Sequence, residues 1–213
     1  SLRNVWYQCR VGASSLLGEM SLAVLIYIGN IVFMRYLGDD GVGAFGISCY
    51  YTPFFFTMGN AIAQSAQPII SYNYGISRIG HIAQIRRLLL LTAFVCGGVV
   101  ALMFVSIPEI LVELFVARDT VAAQIAIDGF PYYALGIVFF ILNVAIIGYN
   151  QSLERVKRAM LLVVLRGLVL LVPSFIILPQ LFGVQGIWLA MPIAEMLAFV
   201  VIIIGWRINH RCS

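Results

Sequence analysis

Two carboxylates, Glu19 and Glu195, lie inside runs of apolar residues long enough to cross a bilayer. An ionised side chain at that depth costs at least ~2.5–3.5 kcal/mol, so each acid must face a cavity, find a partner or carry a proton. Such an acid can couple the flow of one cation to that of another, because a proton, a sodium ion and an organic cation compete for one negative group. Ser15 stands one helical turn before Glu19 and is placed to hydrogen-bond with it. Glu195 closes a Met-Pro-Ile-Ala-Glu run in which Pro192 frees a main-chain carbonyl. The plainer alternatives are a structural, protonated acid at Glu19 and a simple bond to a neighbouring helix at Glu195.

A line of neutral polar residues forms the second constellation. Pro53, Thr57, Asn60, Gln64, Gln67 and Ser71 recur at alternating steps of four and three, which is one face of an α-helix, and the positions between are mostly Phe, Met, Ile, Ala and Gly. Such a helix suits lipid or packed helices on most sides and a wet cavity on one. The competing reading is that its amides bridge adjacent helices. Asn143 and Asn150 share a further face with Tyr132, Gly136 and Phe139, and no acid accompanies them between Phe130 and Asn150. Aromatic side chains near these polar lines are suited to flat organic cations. Paired aspartates, Ser with His, and a His-Glu-x-x-His zinc motif are all missing from the sequence, which argues against an enzyme. Cys9, Cys49, Cys96 and Cys212 show no CxxC spacing, so neither a metal site nor a cofactor is expected.

The elements that must position these groups are membrane helices. The chain is 62% hydrophobic and 10% charged, with a mean hydropathy of +1.01; a soluble domain carries about 25% charged residues. The pattern predicts an all-α membrane protein with six spans, at about 11–34, 44–71, 88–116 (Pro108 near its end), 130–150, 160–178 and 186–206. Turn chemistry separates them at Gly38-Asp-Asp-Gly41, Asn73-Tyr-Gly75, Pro179 and Gly183. Residues 1–10 read as the tail of a loop and 207–213 as a terminal tail. Residues 75–87, with His81, read as a connector, and Trp188 and Trp206 as interface anchors.

Of the 13 Lys and Arg residues, placing both termini in the cytoplasm leaves only Arg35 and Arg118 outside. Basic residues follow the cytoplasmic side, so this asymmetry sets the expected orientation. The net charge of +4 is thus a topology signal, and no nucleic-acid partner is implied. Arg166 falls just inside the fifth span, near its cytoplasmic end. The basic connector Ser152–Ala159 is suited to anionic lipid headgroups.

The run Gly59-Asn-Ala-Ile-Ala-Gln-Ser-Ala-Gln-Pro-Ile-Ile-Ser-Tyr-Asn-Tyr-Gly75 closely resembles the eighth helix of multidrug and toxic compound extrusion (MATE) transporters. Gly186-Ile-Trp-Leu-Ala-Met-Pro-Ile-Ala-Glu195 resembles the twelfth helix of that family, and Gln151, Ser152, Lys157 and Ala159 resemble its basic loop after the tenth helix. The resemblance implies one lobe of a twelve-helix transporter, the C-terminal six helices, whose partner is the N-terminal six-helix lobe of the same polypeptide. It also implies an acid in the seventh helix, matched by Glu19. The family's Gly-x-Pro-Ser entry to that helix reads Gly12-Ala-Ser-Ser15 here, without the proline.

The expected function is therefore secondary active efflux of small organic cations or drugs, coupled to H+ or Na+, in a bacterial plasma membrane. The expected binding residues are Glu19, Asn60, Gln64, Gln67, Asn143 and Glu195. The runner-up is a flippase for lipid-linked oligosaccharides from the same superfamily. Its cavity should be strongly cationic to meet a pyrophosphate, whereas Arg166 alone offers a cation within a span here.

Overall fold

A computed structural model describes residues 2–211, excepting the side chains at 2–4, 6–8, 10, 11, 14, 15 and 207–211. The described chain is helical: α1 (Leu2–Gly75), α2 (Ile79–Ser106), a short α3 (Pro108–Glu113), α4 (Val121–Ser152), α5 (Val156–Val164), a π-helical turn (Leu165–Leu170) and α6 (Leu171–Arg211). Four stretches, Leu16–Gly75, Ile79–Ser106, Val121–Ser152 and Val156–Trp206, are long and apolar enough to cross a membrane.

Two of these stretches fold back on themselves. The 60 residues of Leu16–Gly75 would reach ~90 Å as a straight helix, about three times the hydrocarbon core of a bilayer. Gly38 breaks α1 at φ 67°, ψ −155°, a conformation essentially reserved for glycine. Beyond it the chain returns along its own path. Phe33 and Phe45 stack with ring centroids 4.5 Å apart, and the Phe56 ring reaches within 3.4 Å of the Cβ position of Gly18. Gly183 breaks α6 in the same way at φ 59°, ψ −134°, and there a side chain on Gly186 would overlap the carbonyl of Leu178.

Several boundaries differ from those the sequence predicts. Pro179 is buried inside the helix and the reversal falls at Gly183, because proline holds φ near −65° and cannot supply the positive φ of the turn. Pro108 does not lie within the third span. It opens α3, where its missing N–H would have no helical partner in any case. The break after Gly75 is confined to 76–78, so His81, Arg86 and Arg87 ride on the first turns of α2 and not in a loop. Positions 2–10 likewise continue α1, and α6 runs on to Arg211.

The centre of the fold is α4, in which every residue from Phe140 to Asn150 is buried. Trp188, expected at an interface, is only 3% exposed. Its indole meets Phe33 edge-on at 4.9 Å and fills the space above Gly129, where a Cβ would overlap it. Much of the outer surface is apolar. Leu88, Leu91, Val95, Val99 and Leu102 form an exposed stripe along α2, the face expected against lipid tails. Lipid is as apolar as leucine, so burial alone does not hold such helices together and close contact must. Gly59 brings α1 to within 3.1 Å of the Ile141 carbonyl, measured from its Cβ position, and Gly148 brings α4 against Ala63.

Candidate binding cavity

These close contacts hold four helical segments around a cavity of about 600 Å³. Gly18, Glu19 and Ser21 enter it from the arm of α1 before Gly38, and Phe56, Asn60, Ala63, Gln64 and Gln67 from the arm after it. Val144, Ile147, Gly148 and Gln151 come from α4, and Val163 and Arg166 from α5 and the π-helical turn. Half of these residues are apolar or glycine, and the rest are four amides, one hydroxyl, one acid and one base.

Half of the predicted polar line of α1 reaches this wall. Asn60, Gln64 and Gln67 line the cavity, while Pro53 and Thr57 are exposed outside it. Ser71 instead donates to the main-chain oxygen of Ser152 at 3.2 Å. The helix is therefore polar on one face as expected, and only its middle faces the cavity.

Glu19 is exposed on the same wall, and among the described residues it has no ion-pair partner. The side chain of Ser15, expected beside it, lies outside the described residues.

Glu195 is in the opposite state. It is 3% exposed, and its Oε1 accepts from Arg166 Nε at 3.0 Å and lies 2.8 Å from Arg166 Nη2. Asn143 Nδ2 donates to its Oε2 at 2.7 Å and to its main-chain oxygen at 2.9 Å. The guanidinium carbon of Arg166 sits 4.3 Å from the centre of the Phe140 ring, a cation–π contact. Asn143 and Glu195 are therefore not on the cavity wall with Glu19 and the amides. They form a buried cluster behind it, and Arg166 joins the two. Asn150 takes no part, since its Nδ2 donates to its own helix at Ile146 O, 2.8 Å away.

Arg166 is the residue whose partner the sequence does not reveal. Expected near the end of a span, it is 5% exposed and paired with Glu195. Its backbone belongs to the π-helical turn, whose extra residue shifts the register, and the adjacent Gly167 lets that turn sit directly on Ser21. The usable signal was physical: a lone cation in an apolar run needs an acid, and Glu195 was an acid in need of a cation. Gln151, which the sequence marks only by its resemblance to the family's basic loop, also lines the cavity.

Three comparisons bear on this geometry. No curated protein matches the chain. Among solved structures, an outward-facing multidrug resistance MATE family transporter of the MOP superfamily is similar over 94% of this chain and 45% of its own, with 19% identity and a TM-score of 0.85. A MATE protein in complex with MaL6 is similar over 98% and 47%, with 19% identity and a TM-score of 0.86. A MOP superfamily transporter from Pyrococcus furiosus, described as having a binding pocket of reverse polarity, is similar over 92% and 43%, with 18% identity and a TM-score of 0.74. The chain thus spans less than half the length of each of these proteins, and at such identities the likeness is one of fold. The MatE family model matches residues 16–176, most of the chain and the whole cavity wall, and the chain belongs to the MatE family of membrane transporters.

Proposed function

We propose that this chain is the C-terminal half of a secondary active exporter, which moves small organic cations against an inward flow of H+ or Na+ by alternating access. Each arm of the two folded-back helices crosses the bilayer once, so the chain makes six crossings, with both termini in the cytoplasm of a bacterial cell. The cavity is one wall of a larger chamber completed by an N-terminal six-helix lobe, as expected for transporters that hold substrate between two repeats near the membrane midplane. Glu19, Asn60, Gln64 and Gln67 bind cation or substrate. Asn143 and Glu195 act from behind through Arg166.

One observation carries this reading: Glu19 is an acid without an ion-pair partner among the described residues, on the wall of a cavity lined with amides. A flippase for lipid-linked sugars would require free cations on that wall, and the charge of Arg166 is engaged by Glu195. Efflux of a fluorescent organic cation should be measured from vesicles containing the full-length protein, under imposed H+ and Na+ gradients. Gradient-driven efflux should fall about tenfold or more in Glu19→Gln, the expected loss for one charge close to a bound cation. Unchanged efflux in that variant would refute the role of Glu19, and no cation efflux under either gradient would refute the exporter.

A further inference from the structure

Among the described residues that line the cavity, Arg166 is the only cation, yet it is almost wholly covered. Both its Nε and its Nη2 point at one oxygen of Glu195, at 3.0 and 2.8 Å. The other oxygen of Glu195 accepts from Asn143. The guanidinium and the carboxylate thus form an ion pair without net charge, held behind the wall. Phe140 lies against the guanidinium, and Arg166 and Glu195 are only 5% and 3% exposed, so their neighbours are protein rather than water. An unbalanced charge among such neighbours would be poorly screened and felt across the cavity.

We infer that the Arg166–Glu195 pair sets the charge sign of this cavity, with Arg166 as its specificity-determining residue and Glu195 as the positioning residue that cancels it. With the pair intact, the net charge presented to a ligand is that of Glu19, and the cavity takes organic cations. With Glu195 neutral, the guanidinium offsets Glu19, cation binding is lost, and delocalised organic anions gain access to the same site. This rests on the exporter reading above for the cargo class. It adds that selectivity is decided by a residue pair that no bound cation need touch.

The test uses two probes of the same shape and opposite charge, tetraphenylphosphonium and tetraphenylborate, bound at equilibrium to the full-length protein in detergent. The wild-type protein should prefer the phosphonium. Glu195→Gln should weaken phosphonium binding about tenfold and strengthen borate binding, as expected for one unbalanced charge near the ligand. Removing Arg166 as well, in R166Q/E195Q, should restore the phosphonium preference, a rescue that a purely structural pair would not show. A preference in E195Q within about twofold of wild type, or an R166Q/E195Q protein that behaves like E195Q, would overturn the inference. If E195Q fails to fold, the double variant alone carries the test: it should prefer phosphonium, and lose that preference when Glu19→Gln is added. A double variant without cation preference would again overturn it. A wild-type protein indifferent to probe charge would refute the cation-exporter reading, and the inference with it. That outcome is distinct from a cation-selective wild type whose E195Q variant is unaltered.

Discussion

Asn143 directs its amide N–H groups at a single residue: Nδ2 lies 2.7 Å from Oε2 of Glu195 and 2.9 Å from the main-chain oxygen of the same residue. One side chain on α4 thereby holds both the carboxylate and the backbone of α6. Nearby, Pro192 packs into the space left by Gly136, so the two helices are locked in roll as well as in distance. The carboxylate can then hold Arg166 in one orientation.

Asn143→Ala should destabilise the protein by about 1.5–3 kcal/mol, the usual loss when a donor to a buried charged group is removed. The measure is a drop in melting temperature of the full-length protein in detergent. A variant that melts with the wild type would show that Arg166 alone suffices to hold Glu195.

Gly148 and Gly98 should respond with opposite signs. A side chain on Gly148 would overlap Ala63 and push α1 from α4, whereas nothing lies within 4 Å of the Cβ position of Gly98. Gly148→Val should cost about 1–3 kcal/mol through overpacking. Gly98→Ala, in the middle of α2, should gain about 0.5–1 kcal/mol through reduced backbone freedom in the unfolded chain. Thermal melting of the two variants side by side decides the matter, and equal shifts would contradict the packing described.

Gly38→Ala should cost about 1–3 kcal/mol, because its φ of 67° and ψ of −155° are open almost only to glycine. Gly46, on the same helix with helical backbone and free space around it, serves as the contrast. Gly46→Ala should be neutral or stabilising. A melting temperature for Gly38→Ala equal to that of Gly46→Ala would mean that the reversal of α1 does not depend on the glycine.

Much of the fold was legible because its signals are local. The apolar runs and the glycines at 38 and 183 mark helices and reversals without reference to any distant residue. The helical spacing of Asn60, Gln64 and Gln67 placed three cavity residues on one face. The pattern failed where a neighbour decided the outcome. Trp188 looked like an interface anchor from its position in the run, but Gly129 on α4 leaves room for the indole in the core. Ser71 extended the polar line in sequence, yet it is satisfied by Ser152 from another helix.

Composition, run length and 3.6-residue periodicity are properties of each segment alone, and they suffice to read this chain as membrane helices with acids and amides inside apolar runs. Which of the two acids is exposed depends on how the helices pack. Glu19 and Glu195 are alike as residues in apolar runs. The reversal at Gly183 and the register shift of the π-helical turn bring Arg166 to Glu195, 29 positions away in sequence. Glu19 is left facing the cavity without an ion-pair partner among the described residues. An electrostatic role at depth depends on the nearest opposite charge, and that distance is set by how helices pack rather than by the order of residues along any one of them.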